Sequence, residues 1–278
     1  MLTKKIMGVY LASSVLFGIG LAVWRIMLMF QYYDPYNNEY SADAKTSLQM
    51  LGYALCLAVI IAATSYLFLR KREFEAFSAS ANQLSVFASA LLGFVFIAVG
   101  FLLILYYSKE LFTSAVSPVF KGFRLTSLVL LFFSAAYFIM SAASRVPEKT
   151  KKIFSFFPTL WALVFLISSY INPNYNYTDP NHNLCNISVC ALLLFFLFET
   201  KTCALGKTSA VRFIFSLAAL ICLIAYILPI CVLMAFWELP TGIDVLFEVV
   251  ECGAVFYIIA VCVSMIRAVK PKTISAKS

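Results

Sequence analysis

The residues best placed to do chemistry in this chain are three carboxylates, Asp244, Glu248 and Glu251. They open the stretch TGIDVLFEVVECGAVFYIIAVCVSMIR, residues 241–267. After Glu251 the charge-free run covers only 252–266. A helix needs roughly 20 apolar residues to cross about 30 Å of hydrocarbon. The stretch therefore spans a membrane only if part of its acidic end enters it. Counting back from Arg267 at about 1.5 Å per residue puts Glu251 ~24 Å away, inside the hydrocarbon. On the same count Glu248 lies ~28 Å away near the far boundary, and Asp244 ~34 Å away among the headgroups. At about 100° per residue the three share one helical face within an arc of roughly 60°. A charge facing lipid at depth costs at least a few kcal/mol, so this face is expected to point into a helix bundle or a wet cavity.

Arg25 belongs to the same layer. Counted from Lys5 at the inner boundary it lies about 30 Å across, level with Glu248. Arg25, Asp244, Glu248 and Glu251 thus form a candidate polar or ion site on the first and last helices. Two readings compete. One is a salt bridge closing the bundle, or Arg25 snorkelling to the headgroups. The other is a proton or cation site with Glu251 as its buried carboxylate. Pro229, eight residues before Trp237, lies well inside the seventh apolar run. It removes a backbone N–H, frees a carbonyl and is the candidate helix kink. Such breaks line binding sites in transporters but are also common in membrane helices generally.

Other chemistries find little support. The single histidine, His182, falls in an expected outer loop, where it could act as a pH sensor. No H-E-x-x-H and no His/Cys set with zinc spacing occurs, so neither a metal nor another cofactor is expected. G-x-S-x-G, G-x-G-D, Walker and dinucleotide motifs are missing, and no polar segment is long enough for a catalytic domain; no enzyme is expected. The eight cysteines lie mostly in apolar runs without a C-x-x-C, and read as small packing residues. Cys185 and Cys190, five apart on one helix, point in different directions.

The elements that must position these groups follow from composition. The chain is 63% hydrophobic and 12% charged, against about 25% charged in soluble domains. This predicts an all-α polytopic membrane bundle, a single domain over residues 1–278 in contact with the lipid bilayer. Eight spans are expected: 6–30, 48–69, 84–107, 123–143, 153–171, 184–198, 213–236 and 243–266, the sixth being the shortest. The opening MLTKK resembles the front of a signal peptide. The apolar run behind it is too long for that and ends in no A-x-A site, so it reads as a retained helix. Pro158, near the inner end of the fifth span, suits a helix start. Of 21 Lys and Arg, only Arg25, Lys45, Lys109, Lys121 and Arg124 fall on one side, which predicts cytoplasmic N- and C-termini. Most of the 13 acids fall on the opposite, outer side, including Asp34, Glu39, Asp43 and Asp179, so the outer face should be negative and attract cations.

The net charge of +8 does not indicate nucleic acid, because the basic residues sit in short clusters at span ends. Ala54, Ala58 and Ala62 on the second helix, and Gly93 and Gly100 on the third, would let helices approach closely. The outer loops YYDPYNNEY and INPNYNYTDPNHN share composition, and each follows a Trp-bearing helix (Trp24, Trp161). This hints at a four-plus-four repeat, although Asn, Pro, Asp and Tyr are ordinary in turns and at interfaces.

Trp24-Arg25, the following YYDPYNNEY loop, and Pro158 with Trp161 resemble a group of multi-spanning membrane proteins of clostridial-type bacteria that has no assigned activity. In that group an Arg late in the first helix precedes an Asp-Pro loop ending in an aromatic. This chain departs by carrying Asn37-Asn38-Glu39 where the group more often has an acid and a Gly. The resemblance implies a multi-pass protein of the bacterial plasma membrane. Two functions are then expected: a non-enzymatic protein that senses or binds a protein partner through its acidic outer face, or a small permease or channel-like subunit for a cation or small solute. An ABC-type permease would need a cytoplasmic coupling helix, for which the longest inner loop, 143–152, is barely long enough.

Overall fold

The computed structural model describes residues 2–34, 39–40, 44–69, 82–110, 117–143, 145–171, 180–206, 210–236 and 243–268. It is an all-helical bundle in which eight segments are long and apolar enough to cross a membrane. The helices are α1 (Leu2–Tyr32), α2 (Ala44–Leu69), α3 (Gln83–Glu110), α4 (Pro118–Ala142), α5 (Glu148–Phe154), α6 (Phe156–Ile171), α7 (Pro180–Leu205), α8 (Ala210–Phe236) and α9 (Ile243–Ala268). The short α5 and α6 together make the fifth span, interrupted at Ser155. Pro158 in the first turn of α6 has no N–H to continue the ladder across that break. A two-residue antiparallel ladder, β1 (Tyr33–Asp34) with β2 (Glu39–Tyr40), follows α1.

Lys4 Nζ donates to the carbonyl of Arg267 at 2.9 Å, so the start of α1 and the end of α9 lie side by side on one face of the bundle. This is called the basic face below, and the other the acidic face.

The bundle is organised around α8 rather than around the acid-bearing α9. Helix α8 packs on α1, α2, α7 and α9 and is the most deeply buried span among the described residues. Its composition explains this, since 213–236 carries no charge at all and can be apolar all round. Large apolar side chains are left exposed on the outer helices, such as Leu16 on α1, Val59 on α2, and Phe94 and Phe101 on α3. In a bilayer these positions meet lipid tails, where exposure has no hydrophobic penalty.

Close approach is built into α3 and α4. A Cβ at Gly93 would stand 2.7 Å from Ile139 Cγ1 and 3.2 Å from the Ala135 carbonyl, and one at Gly100 would stand 2.7 Å from Phe132 Cζ. Ala54 and Ala58 are buried on α2. The small residues thus do what their spacing suggests. The packing does not follow a four-plus-four symmetry. Helices α7 and α8 lie closely along one another, whereas α2 and α3, their counterparts in such a repeat, are not a closely packed pair among the described residues.

The sixth span is the main departure from expectation. Helix α7 runs from Pro180 to Leu205 and takes in Glu199, Lys201 and His182, well beyond 184–198. It ends at Gly206, whose φ of 66° is the left-handed conformation of a helix C-terminus, with its N–H donating to the Thr202 carbonyl at 2.9 Å. The helix can carry Glu199 and His182 because each finds a partner inside the bundle, while Lys201 is exposed and lies over the Phe198 ring of the same helix.

Candidate functional site

On the acidic side, Arg25 is 3% exposed near the end of α1. Its Nη1 donates to the carbonyls of Tyr226, at 2.8 Å, and Ala225, at 3.3 Å. The Ala225 carbonyl stands four residues before Pro229 and is the one that loses its helical donor to the proline. Arg25 therefore supplies from α1 the hydrogen bond that Pro229 withholds within α8. The helix runs unbroken from Ala210 to Phe236 through this point. The guanidinium also lies 5.3 Å from the centre of the Tyr226 ring, within the range of a cation–π contact.

Tyr226 connects this assembly to α9. Its hydroxyl donates to Glu248 Oε1 at 3.1 Å. One turn along, Glu251 is 3% exposed and accepts at Oε1 from Ser188 Oγ of α7 at 3.1 Å. Its second oxygen, Oε2, is buried without a hydrogen-bond partner among the described residues. Of the readings open for this layer, a direct ion pair between Arg25 and Glu251 is not formed; the arginine bonds the carbonyls of α8 instead. The side chain of Asp244 lies outside the described residues.

His182, expected in a solvated loop, is buried in the first turn of α7. Its Nε2 lies 3.0 Å from Asn186 Nδ2, and Asn186 Oδ1 accepts from Ser169 of α6 at 2.8 Å. The neutral amide can only donate from Nδ2, so the imidazole Nε2 is the acceptor.

A second polar cluster lies near the basic face and was not foreseen. Glu199 of α7 is 4% exposed and Arg212 of α8 is 1% exposed, and they form a direct ion pair through Arg212 Nη2 and Glu199 Oε2. Glu199 Oε1 accepts from two tyrosine hydroxyls, Tyr137 of α4 at 3.1 Å and Tyr257 of α9 at 3.0 Å. The Tyr137 oxygen also lies 3.2 Å from Cys203 Sγ. Since its one proton is directed at Glu199, the thiol is the donor in that contact. Next to Glu199, Thr200 donates to the Ser155 carbonyl at 2.6 Å and meets Thr159 Oγ1 at 3.1 Å, tying the cluster to the break in the fifth span.

A signal for this cluster was present in the sequence. Residues at equal distances from a tight turn face each other across an antiparallel helix pair. Glu199 lies seven residues before Gly206 and Arg212 six after it. Spans bounded at 198 and 213 leave both residues outside the helices and conceal the pair.

An aromatic layer fills the space between the two clusters. Phe138 packs on Phe96, Phe196 and Tyr257 with ring centres 5.5, 5.9 and 5.2 Å apart, and Phe96 meets Trp161 edge-on at 5.0 Å. No family model matches the chain, and no curated protein and no solved structure matches it either.

Proposed function

We propose that this integral membrane protein is a small permease that takes up a proton or small monovalent cation at Glu248 and Glu251. The observation that carries this reading is the buried Glu251 carboxylate, with one oxygen on Ser188 and the other lacking a partner among the described residues. A second carboxylate stands one turn away. Ionisable groups at this depth are costly and mark ion and proton pathways. Two carboxylate groups within a turn of one another offer hard oxygen donors that suit a proton or an alkali cation. Arg25 does not neutralise Glu251, which leaves that carboxylate available to the ion. Ser188 on α7 and Tyr226 on α8 would hold the two carboxylates in register.

The competing expectation, partner binding through the acidic outer face, draws on loops outside the described residues and gains nothing from this geometry. The cytoplasmic placement of the basic face and residence in a bacterial plasma membrane are part of the same proposal.

The test is flux into liposomes holding the purified full chain, with an entrapped pH dye and, in separate arms, imposed sodium or potassium gradients. Glu251→Gln keeps the shape and the bond from Ser188 but removes the charge, so it should abolish flux at unchanged thermal stability. Wild-type flux in that variant would refute the reading.

A further inference from the structure

The Glu199–Arg212 cluster is assigned no role by the proposal above, yet it has the composition of an ion station. We propose that Glu199, clamped by Arg212, Tyr137 and Tyr257, is the basic-face station of the same path, and that separation of Arg212 from Glu199 is the step that opens it. This rests on the reading of Glu248 and Glu251 as an ion site.

The helices place the two stations in line. Ser188 and Glu199 are eleven residues apart on α7, which returns the helix to within about 20° of the same face some 16 Å further along. Tyr226 and Arg212 are fourteen apart on α8, about 40° from the same face and roughly 21 Å apart. One face of each central helix therefore contributes to both clusters. Between them Leu192, Phe195 and Phe196 on α7, and Leu220 and Leu223 on α8, are fully buried. The arrangement is two carboxylate stations separated by an apolar plug.

The chemistry of the clamp differs from that of a simple staple. A staple needs one counter-charge, but Glu199 has Arg212 on one oxygen and two tyrosine hydroxyls on the other, delivered by three different helices. Arg212 occupies the position an arriving cation would take. When a proton from the path binds Glu199, the carboxylate becomes a neutral acid and Arg212 loses its counter-charge while keeping its own. The pair then separates, and the proton leaves Glu199 toward the basic face as the pair re-forms. The Cys203 thiol beside Tyr137 gives a native reporter of that opening. Cys222, buried elsewhere on α8, serves as the control.

The experiment uses the full chain in liposomes and N-ethylmaleimide, with alkylation of each cysteine quantified by mass spectrometry. Tyr257→Phe removes one hydroxyl from Glu199 without touching Cys203. It should raise Cys203 alkylation about fivefold, the shift expected on losing one hydrogen bond, with Cys222 unchanged. No change at Cys203, or an equal rise at Cys222 that signals general loosening, would overturn the proposal. The double variant Glu199→Gln, Arg212→Gln removes both charges and strands neither. Loss of flux with retained thermal stability supports a station, whereas wild-type flux overturns it. Glu251→Gln separates the two ideas: it should stop flux while leaving Cys203 alkylation as in the wild type. If it leaves flux intact the outer site is wrong, and the Tyr257→Phe result still decides whether the clamp opens.

Discussion

Replacing Arg25 by Met should cost more stability when residue 229 is proline than when it is alanine. The reasoning is local. In the wild-type protein the Ala225 carbonyl has no helical donor, because Pro229 lacks an N–H, and Arg25 Nη1 supplies the replacement at 3.3 Å while making a shorter bond of 2.8 Å to Tyr226. A hydrogen bond from a charged donor contributes roughly 1.5–3 kcal/mol, and a buried acceptor left without one incurs a desolvation cost of about 1–3 kcal/mol. Arg25→Met alone should therefore destabilise by about 2–4 kcal/mol. In a Pro229→Ala background the alanine N–H closes the ladder onto Ala225, so of these two bonds the one to Ala225 no longer depends on Arg25. The cost of Arg25→Met should then fall by about 1 kcal/mol, the net worth of one ordinary hydrogen bond. Pro229→Ala by itself should be close to neutral or stabilising, since it repairs a helix interior. Denaturant titration of the four proteins in one detergent completes the cycle. Additivity within roughly 0.3–0.5 kcal/mol, the range expected of independent sites, would refute the idea that Arg25 stands in for the missing N–H.

Three further outcomes follow from particular contacts. Glu199→Gln should destabilise by about 3–5 kcal/mol because it removes the counter-charge of a buried arginine, and adding Arg212→Gln should return stability to near the wild-type value; a double variant worse than the single would contradict the pairing. Cys231 and Cys252, on α8 and α9, hold their sulfurs 3.8 Å apart. They should cross-link on treatment with a mild thiol oxidant, since a disulfide needs the sulfurs only about 2 Å closer. Mass spectrometry without reductant reads this directly, and Cys185 with Cys190 serves as the unlinked comparison. Gly93→Val should cost about 1–3 kcal/mol of overpacking against Ile139 and Ala135, whereas Gly8→Ala, which meets nothing within 4 Å, should leave the melting temperature unchanged.

The spans could be read from composition because the bilayer imposes one rule on every segment: a long apolar run with its backbone bonds closed internally. The rule works where charges mark the ends of spans, as at Lys4 and Arg267. It fails at α7, where the charges at Glu199 and Lys201 predict an end at residue 198 and the helix continues to Leu205. The cause is physical. A charge ends a span only if it must reach water, and Glu199 need not, since Arg212 and two tyrosines solvate it from within.

The same distinction explains the site. Depth along a helix follows from residue count, so Arg25, Glu248 and Glu251 could be assigned to one outer layer before any neighbour was known. Which of them touch depends on helix order around the bundle, which hydropathy does not encode. Charge alone suggests Glu248 or Glu251 as the partner of Arg25, but a guanidinium also seeks any carbonyl left without a donor. Pro229 had already announced one, four residues upstream at Ala225, on the helix that packs beside α1. Had the orphaned carbonyl been counted as an acceptor on equal terms with the carboxylates, Arg25 would have been assigned to α8. Glu251 would then have stood out as a buried acid with no ion pair among the described residues, which is the observation on which the proposed ion site rests.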